Sequence, residues 1–170
     1  PTYNPATGKF IVDIASCSIE DADIAVKIAR NTFNSGVWSK MAPEKRKSIL
    51  LRWADLIEEN WEELALLESI DTGKPISCTM NDDGGDVHSS IRTLRWTAES
   101  IDKSYDELTP AKTKTLGLVT RVPVGVVAAI TPWNYPLPTT MWKLAPSLGA
   151  GNSVILKPAS NTPLTAIRNV

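Results

Sequence analysis

Histidine occurs once in the 170 residues, at His88, and cysteine twice, at Cys17 and Cys78. Two cysteines so far apart build no disulfide framework, and without a CxxC pair or a Cys/His cluster there is no thiolate zinc site. That usage fits a reducing compartment, so a cytoplasmic location is expected. Charge of one sign is lacking too. Lys and Arg number 18 against 19 Asp and Glu, a net charge of -1, and no basic field marks a nucleic-acid or anionic-lipid surface. The longest uninterrupted apolar run, Val126 to Ile130, is far short of a membrane span. No charged-then-apolar export signal opens the chain, although Pro1 is not a natural start. The GxGxxG dinucleotide fingerprint is also missing, because Gly149-Ala150-Gly151 follows a helical stretch and precedes a strand. Small-molecule or protein partners remain.

The 42% hydrophobic and 22% charged residues are ordinary globular composition, enough for one core or a core with a small appendage. TYNPATGKFIVDIAS alternates around Asn-Pro and Thr-Gly turn signals and reads as a short hairpin. Ser18 with Asp21 three residues on signals a helix start, and Ala22, Ala25, Val26, Ala29 and Phe33 follow at helical spacing. Pro43 opens a second helix with Ile49, Leu50, Trp53, Leu56 and Ile57 on one face. A third, Trp61 to Thr72, stops at Gly73. After a polar break over 77–86, Val87, Ile91, Leu94, Ala98, Ile101 and Tyr105 describe a long amphipathic helix. Leu118, Thr120 and Val122 alternate in a segment, 106–123, that reads as an antiparallel hairpin or arm.

The remaining pattern is strand 124–130, helix from about Pro138 to Leu148, strand Ser153 to Leu156, and a new helix start at Thr162-Pro163. That β-α-β-α order predicts an α/β fold with a parallel pair and a right-handed crossover. Two strands leave such a sheet half built, so the sequence reads as the front of a longer protein.

The two strand-end loops, Thr131 to Pro136 and Lys157 to Thr162, are expected side by side, where open α/β sheets bind ligands. In VGVVAAITPWNYP a buried strand runs into a turn clamped by Pro132 and Pro136, with Asn134 at its apex. Asn134 is either a turn asparagine holding its own backbone, the usual role, or a carboxamide donor to an oxyanion, a reading that only the double proline clamp brings into contest. Lys157, in LKPAS, is either solvated or a ligand to ribose or phosphate oxygens. His88 reads as a surface or satisfied residue, and Asp82, Asp83 and Asp86 as a solvated helix-start cluster able to attract a cationic substrate. Trp53, Trp96, Trp133 and Trp142 read as core, the last two flanking the clamped turn.

PVGVVAAITPWNYPLPTTMWKLAPSLGAGNSVILKPASNTPLTA resembles the amino-terminal half of the cofactor domain of aldehyde dehydrogenases. ELALLESIDTGKPI and WTAESIDKSYDE resemble the same family, so the likeness covers essentially the whole chain. It is most similar to the γ-glutamyl-aminobutyraldehyde and guanidinobutyraldehyde type. The resemblance implies an aldehyde-dehydrogenase-like α/β fold: residues 1–105 the helical part of the cofactor-binding domain, 106–123 an oligomerisation arm, 124–170 the start of a Rossmann-like sheet. It implies NAD- or NADP-dependent oxidation of an aldehyde to the carboxylate, with self-association as a dimer or tetramer. Asn134 matches the asparagine that stabilises the oxyanion. Thr131, Pro132 and Trp133 match the turn against the cofactor, Lys157 the lysine on the adenosine ribose, and Tyr135 and Trp142 the substrate tunnel. Ser160 stands where many members carry a glutamate that binds both ribose hydroxyls, which opens the site to NADP. Gly84 to Ser89 forms a longer connection than is usual in the family. The family's nucleophilic cysteine and general-base glutamate match nothing here, so this segment alone is expected to be inactive. A structural or assembly protein that keeps the fold is the competing reading.

Overall fold

A computed structural model describes residues 1–81 and 84–169. The opening hairpin forms as read, β1 (Thr2–Tyr3) pairing antiparallel with β2 (Phe10–Val12). Asn4 makes its turn, Oδ1 accepting from the amides of Ala6 and Thr7 at 2.9 and 3.1 Å, so a short side chain stands in for turn backbone. Helix α1 (Ile19–Ser35) starts on the Ser18 capping box and stops at Gly36 in the left-handed region. Its expected apolar stripe is covered at Ala29, whereas Val26 is 51% exposed. The helix packs on a sheet of only two strands, too narrow to cover seventeen residues.

Helix α2 (Pro43–Glu59) has its proline at the first helical position, where no amide bond is lost. Helix α3 (Trp61–Thr72) ends at Gly73. A one-turn helix, α4 (Ile76–Thr79), overlaps the start of the segment read as a polar break. The long helix α5 (Asp86–Ser100) passes into a 3-10 turn at Ile101–Lys103 and ends short of Tyr105, which is 75% exposed. Asp82 and Asp83 lie outside the described residues.

Four helices share one core: Leu50, Ala54 and Ile57 of α2, Leu64 and Ala65 of α3, Val87, Ile91, Leu94 and Ala98 of α5 meet Leu137, Met141 and Ala145. The last three belong to α6 (Pro136–Gly149), the crossover helix between β5 (Val126–Ile130) and β6 (Ser153–Lys157). Its approach to α5 is close. A Cβ on Gly149 would sit 3.2 Å from Thr97 Cγ2, tighter than carbon packing ordinarily allows. The C-terminal end of α6 is tied down by Trp38 Nε1, which donates to Leu148 O at 2.9 Å. Buried Asn152 then joins helix to sheet, its carboxamide donating to Ser147 O and accepting the Gly125 amide.

β5 and β6 pair in parallel, Val126 opposite Ser153 through Ile130 opposite Lys157, and α7 (Leu164–Arg168) follows. β5 begins two residues later than its apolar run because Gly125, at φ 126°, is out of strand conformation. It is also less buried than expected. Ala129 is covered, but Ile130 is 69% exposed, because one neighbouring strand and two helices leave most of a parallel strand open. Trp96, Trp133 and Trp142, expected in the core, are 75%, 60% and 58% exposed, and Trp53 is half-buried.

The segment after the 3-10 turn forms a separate hairpin, β3 (Glu107–Thr109) antiparallel to β4 (Gly117–Val119) with Leu108 opposite Leu118. Both leucines are exposed. No described helix is long and apolar enough to cross a membrane.

Candidate active site

The strand register decides which residues meet. Ile130 lies opposite Lys157, and the Thr131 amide donates to Lys157 O at 3.1 Å, one rung beyond the end of the ladder. The two loops therefore leave the sheet side by side, as the β-α-β order predicts. Thr131 is buried at the strand end, while Pro132, Trp133, Asn134 and Tyr135 are exposed beyond it. The Asn134 carboxamide makes no hydrogen bond to a described residue. It is not spent on its own turn, the bland role for an asparagine, and it is exposed.

On the second loop Lys157 is exposed, its Nζ donating to the neighbouring Pro158 O at 2.9 Å. Ser160 is exposed on the same loop. Each loop also holds a buried threonine hydroxyl, Thr131 Oγ1 and Thr162 Oγ1, without a hydrogen-bond partner among the described residues. Unpaired buried polar atoms are few in folded proteins and each calls for an explanation. An exposed cation and an apolar Pro132–Trp133 wall suit a ligand with ribose and phosphate oxygens beside a flat ring. Tyr135 and Trp142 stand on the α6 side of the turn, both exposed.

α6 holds the clamped turn through its first residues. Its proposed cap, Tyr135, supplies no side-chain bond, and Pro136 and Pro138 have no amide to donate. The Thr139 amide reaches Tyr135 O at 3.0 Å. That leaves Leu137, whose amide donates to Glu68 Oε1 at 3.1 Å; Glu68 Oε2 accepts from the Thr165 hydroxyl at 2.7 Å. Glu68 is wholly buried, and burial pushes its carboxyl up to about 7 against the two hydrogen bonds and the Lys74 charge, which pull it down. Asp71 sits one turn further along α3 and accepts the Leu164 amide at 2.8 Å, its other oxygen without a partner among the described residues; burial raises it to about 6.

Asp86 does not serve as a free anion for a cationic substrate. Its carboxylate is 2.6 Å from Lys74 Nζ and largely buried, and the same Nζ lies 3.6 Å from the centre of the Tyr135 ring. His88 is half-buried and packs its ring against Trp61, the centroids 5.3 Å apart. Cys17 and Cys78 are free and exposed, neither of them on the loops after β5 and β6. Among the described residues no group of three or more His, Cys, Asp or Glu is placed to hold a metal.

Sequence reasoning missed Glu68, Asp71, Lys74 and Thr165. One signal was present: Glu68 and Asp71 fall four and seven residues after Leu64, on the apolar face of α3, where an acid needs a buried partner.

The model of the aldehyde dehydrogenase family matches residues 1–170, and the chain belongs to that family. It is 49% identical over 167 residues to the NADP/NAD-dependent aldehyde dehydrogenase PuuC of Escherichia coli, covering 98% of this chain and 33% of that protein. The structure of the aldehyde dehydrogenase KauB from Pseudomonas aeruginosa superposes with a TM-score of 0.94 at 57% identity, covering 98% of this chain and 33% of that one. A γ-glutamyl-γ-aminobutyraldehyde dehydrogenase from Burkholderia cenocepacia gives 0.94 at 47% identity, with the same coverage. An indole-3-acetaldehyde dehydrogenase from P. syringae, solved with NAD+, gives 0.93 at 53%, again over 98% and 33%. The chain thus spans about a third of the length of the relatives it matches.

Proposed function

We propose that this chain supplies the oxyanion-donor loop and part of the cofactor-binding surface of an NAD(P)-dependent enzyme oxidising an aldehyde to the carboxylate. The observation that supports the reading is the adjacency of the two loops, with Ile130 opposite Lys157 and the Thr131 amide on Lys157 O at the carboxyl edge of a parallel pair. Cofactor and donor sites gather at that edge in open α/β sheets.

When bound, the nicotinamide would supply hydride acceptance. Thr131, Pro132 and Trp133 would form the wall it lies against, Lys157 would bind adenosine-ribose oxygens, and Ser160 would meet the 2′ position. Asn134 Nδ2–H would donate to the aldehyde oxygen as it becomes anionic, a bond that strengthens as charge develops and so lowers the barrier. Tyr135 and Trp142 would border the aldehyde's path. The nucleophilic cysteine and general base belong to residues outside this chain, in keeping with the positions of Cys17 and Cys78. An amino- or guanidino-aldehyde is the favoured substrate class, by likeness to the γ-glutamyl-γ-aminobutyraldehyde enzyme. The 106–123 hairpin, with Leu108 and Leu118 exposed and its outer edges unpaired among the described residues, is the self-association arm of a dimer or tetramer.

Asn134→Ala in the complete enzyme is the test. Loss of one oxyanion donor is expected to lower kcat by on the order of 10²-fold or more. An unchanged kcat removes Asn134 from the chemistry.

A further inference from the structure

The two strand-end loops lead into helices that lack caps of their own. Tyr135 precedes α6 and Pro163 precedes α7, and neither makes a side-chain cap bond. The missing acceptors come from a third element. Glu68 takes the Leu137 amide of α6 and the Thr165 hydroxyl of α7, and Asp71 takes the Leu164 amide of α7. Three residues further on, Lys74 sits against the Tyr135 ring. Glu68 and Asp71 therefore hold the first residues of the helices that the two loops lead into, and Lys74 meets Tyr135 of the first loop. A local Ser or Asp cap would satisfy each helix alone. One buried carboxylate shared between two helices fixes them to each other, and fully buried acids are rare enough to need such a role.

We propose that Glu68 is a positioning residue: by binding the first turns of α6 and α7 together it sets the Asn134 loop in register with the Lys157 loop. The inference rests on the reading of those loops as oxyanion-donor and cofactor loops. Alanine at 68 strands the Leu137 amide and releases α7. Glutamine has the same shape, accepts from Leu137 with its oxygen and donates to the Thr165 hydroxyl, which can turn to accept.

The test compares wild type, Glu68→Ala and Glu68→Gln in the complete enzyme, with propanal and NAD as probes and amide hydrogen exchange as a second measurement. Glu68→Ala is expected to lower kcat tenfold or more while KM for propanal stays within threefold. Its Leu137 amide should exchange at least tenfold faster, with Leu94 in the α5 core unchanged. Glu68→Gln should return both quantities to within threefold of wild type. The proposal is overturned if Glu68→Ala leaves kcat or Leu137 exchange unaltered, if Leu94 exchange rises equally, or if Glu68→Gln is as damaged as Glu68→Ala. Wild-type enzyme that oxidises no aldehyde overturns the functional reading and with it the catalytic consequence, whereas active wild type with an unaffected alanine variant overturns the clamp alone.

Discussion

Glu68→Gln should change how stability depends on pH. The folded chain holds the Glu68 proton up to about pH 7, against an ordinary carboxyl value of 4.5, because burial outweighs the Leu137 and Thr165 bonds and the nearby Lys74, with Asp86 adding to the rise. Folding therefore strengthens proton binding. The stability this contributes is fully present below pH 4.5 and is lost as pH rises through 7. At 1.36 kcal/mol per pH unit, the separation of the two values corresponds to about 3 kcal/mol. Glutamine has no proton to release, so its stability lacks this decline. Urea unfolding of the 170-residue chain between pH 4 and pH 8 measures it. The other titrating groups, Asp71 included, act in both proteins, so the informative quantity is wild type minus variant, which should fall by about 3 kcal/mol across the window. A difference constant to within about 1 kcal/mol would show that the folded Glu68 titrates as an ordinary carboxyl, and the reasoning from its burial would fail.

Other expectations concern separate parts of the molecule. Leu94 is wholly buried where α2, α5 and α6 meet, so Leu94→Ala should cost about 3–5 kcal/mol, read as a lower urea midpoint with unchanged slope. Leu108→Asp with Leu118→Asp places charges on a facing pair of the exposed hairpin; light scattering of the complete enzyme should show a smaller assembly, and an unaltered mass would mean that the arm does not hold subunits together. Ser160→Glu should shift the ratio of NADP to NAD affinity toward NAD by tenfold or more, since a carboxylate there repels a 2′-phosphate and accepts from free ribose hydroxyls. If cofactor titration finds the ratio unmoved, Ser160 has no part in cofactor choice.

The elements that could be read along the chain are those written in contiguous residues. Ser18 with Asp21, Pro43, Gly73 and the apolar spacing of α5 announce their helices, because capping and amphipathic periodicity act over one or two turns. The β5–α6–β6 order and the Pro132–Pro136 clamp located the two strand-end loops by the same local logic. Three-dimensional packing decided what those signals leave open. Trp96 belongs to a helix whose other face fills the core, so its size said nothing of its exposure. Asp86 looked like solvated charge until Lys74 was found 2.6 Å away. Glu68 lies 69 residues from Leu137 and 97 from Thr165. An acid on an apolar helix face demands a partner, but a one-dimensional pattern carries no information on which distant amide will supply it. By itself the sequence determined the helices, the parallel pair and the loop that presents Asn134. Only the tertiary structure decided that α3 holds that loop in place, because a hydrogen bond between remote residues exists only once the core has brought their helices together.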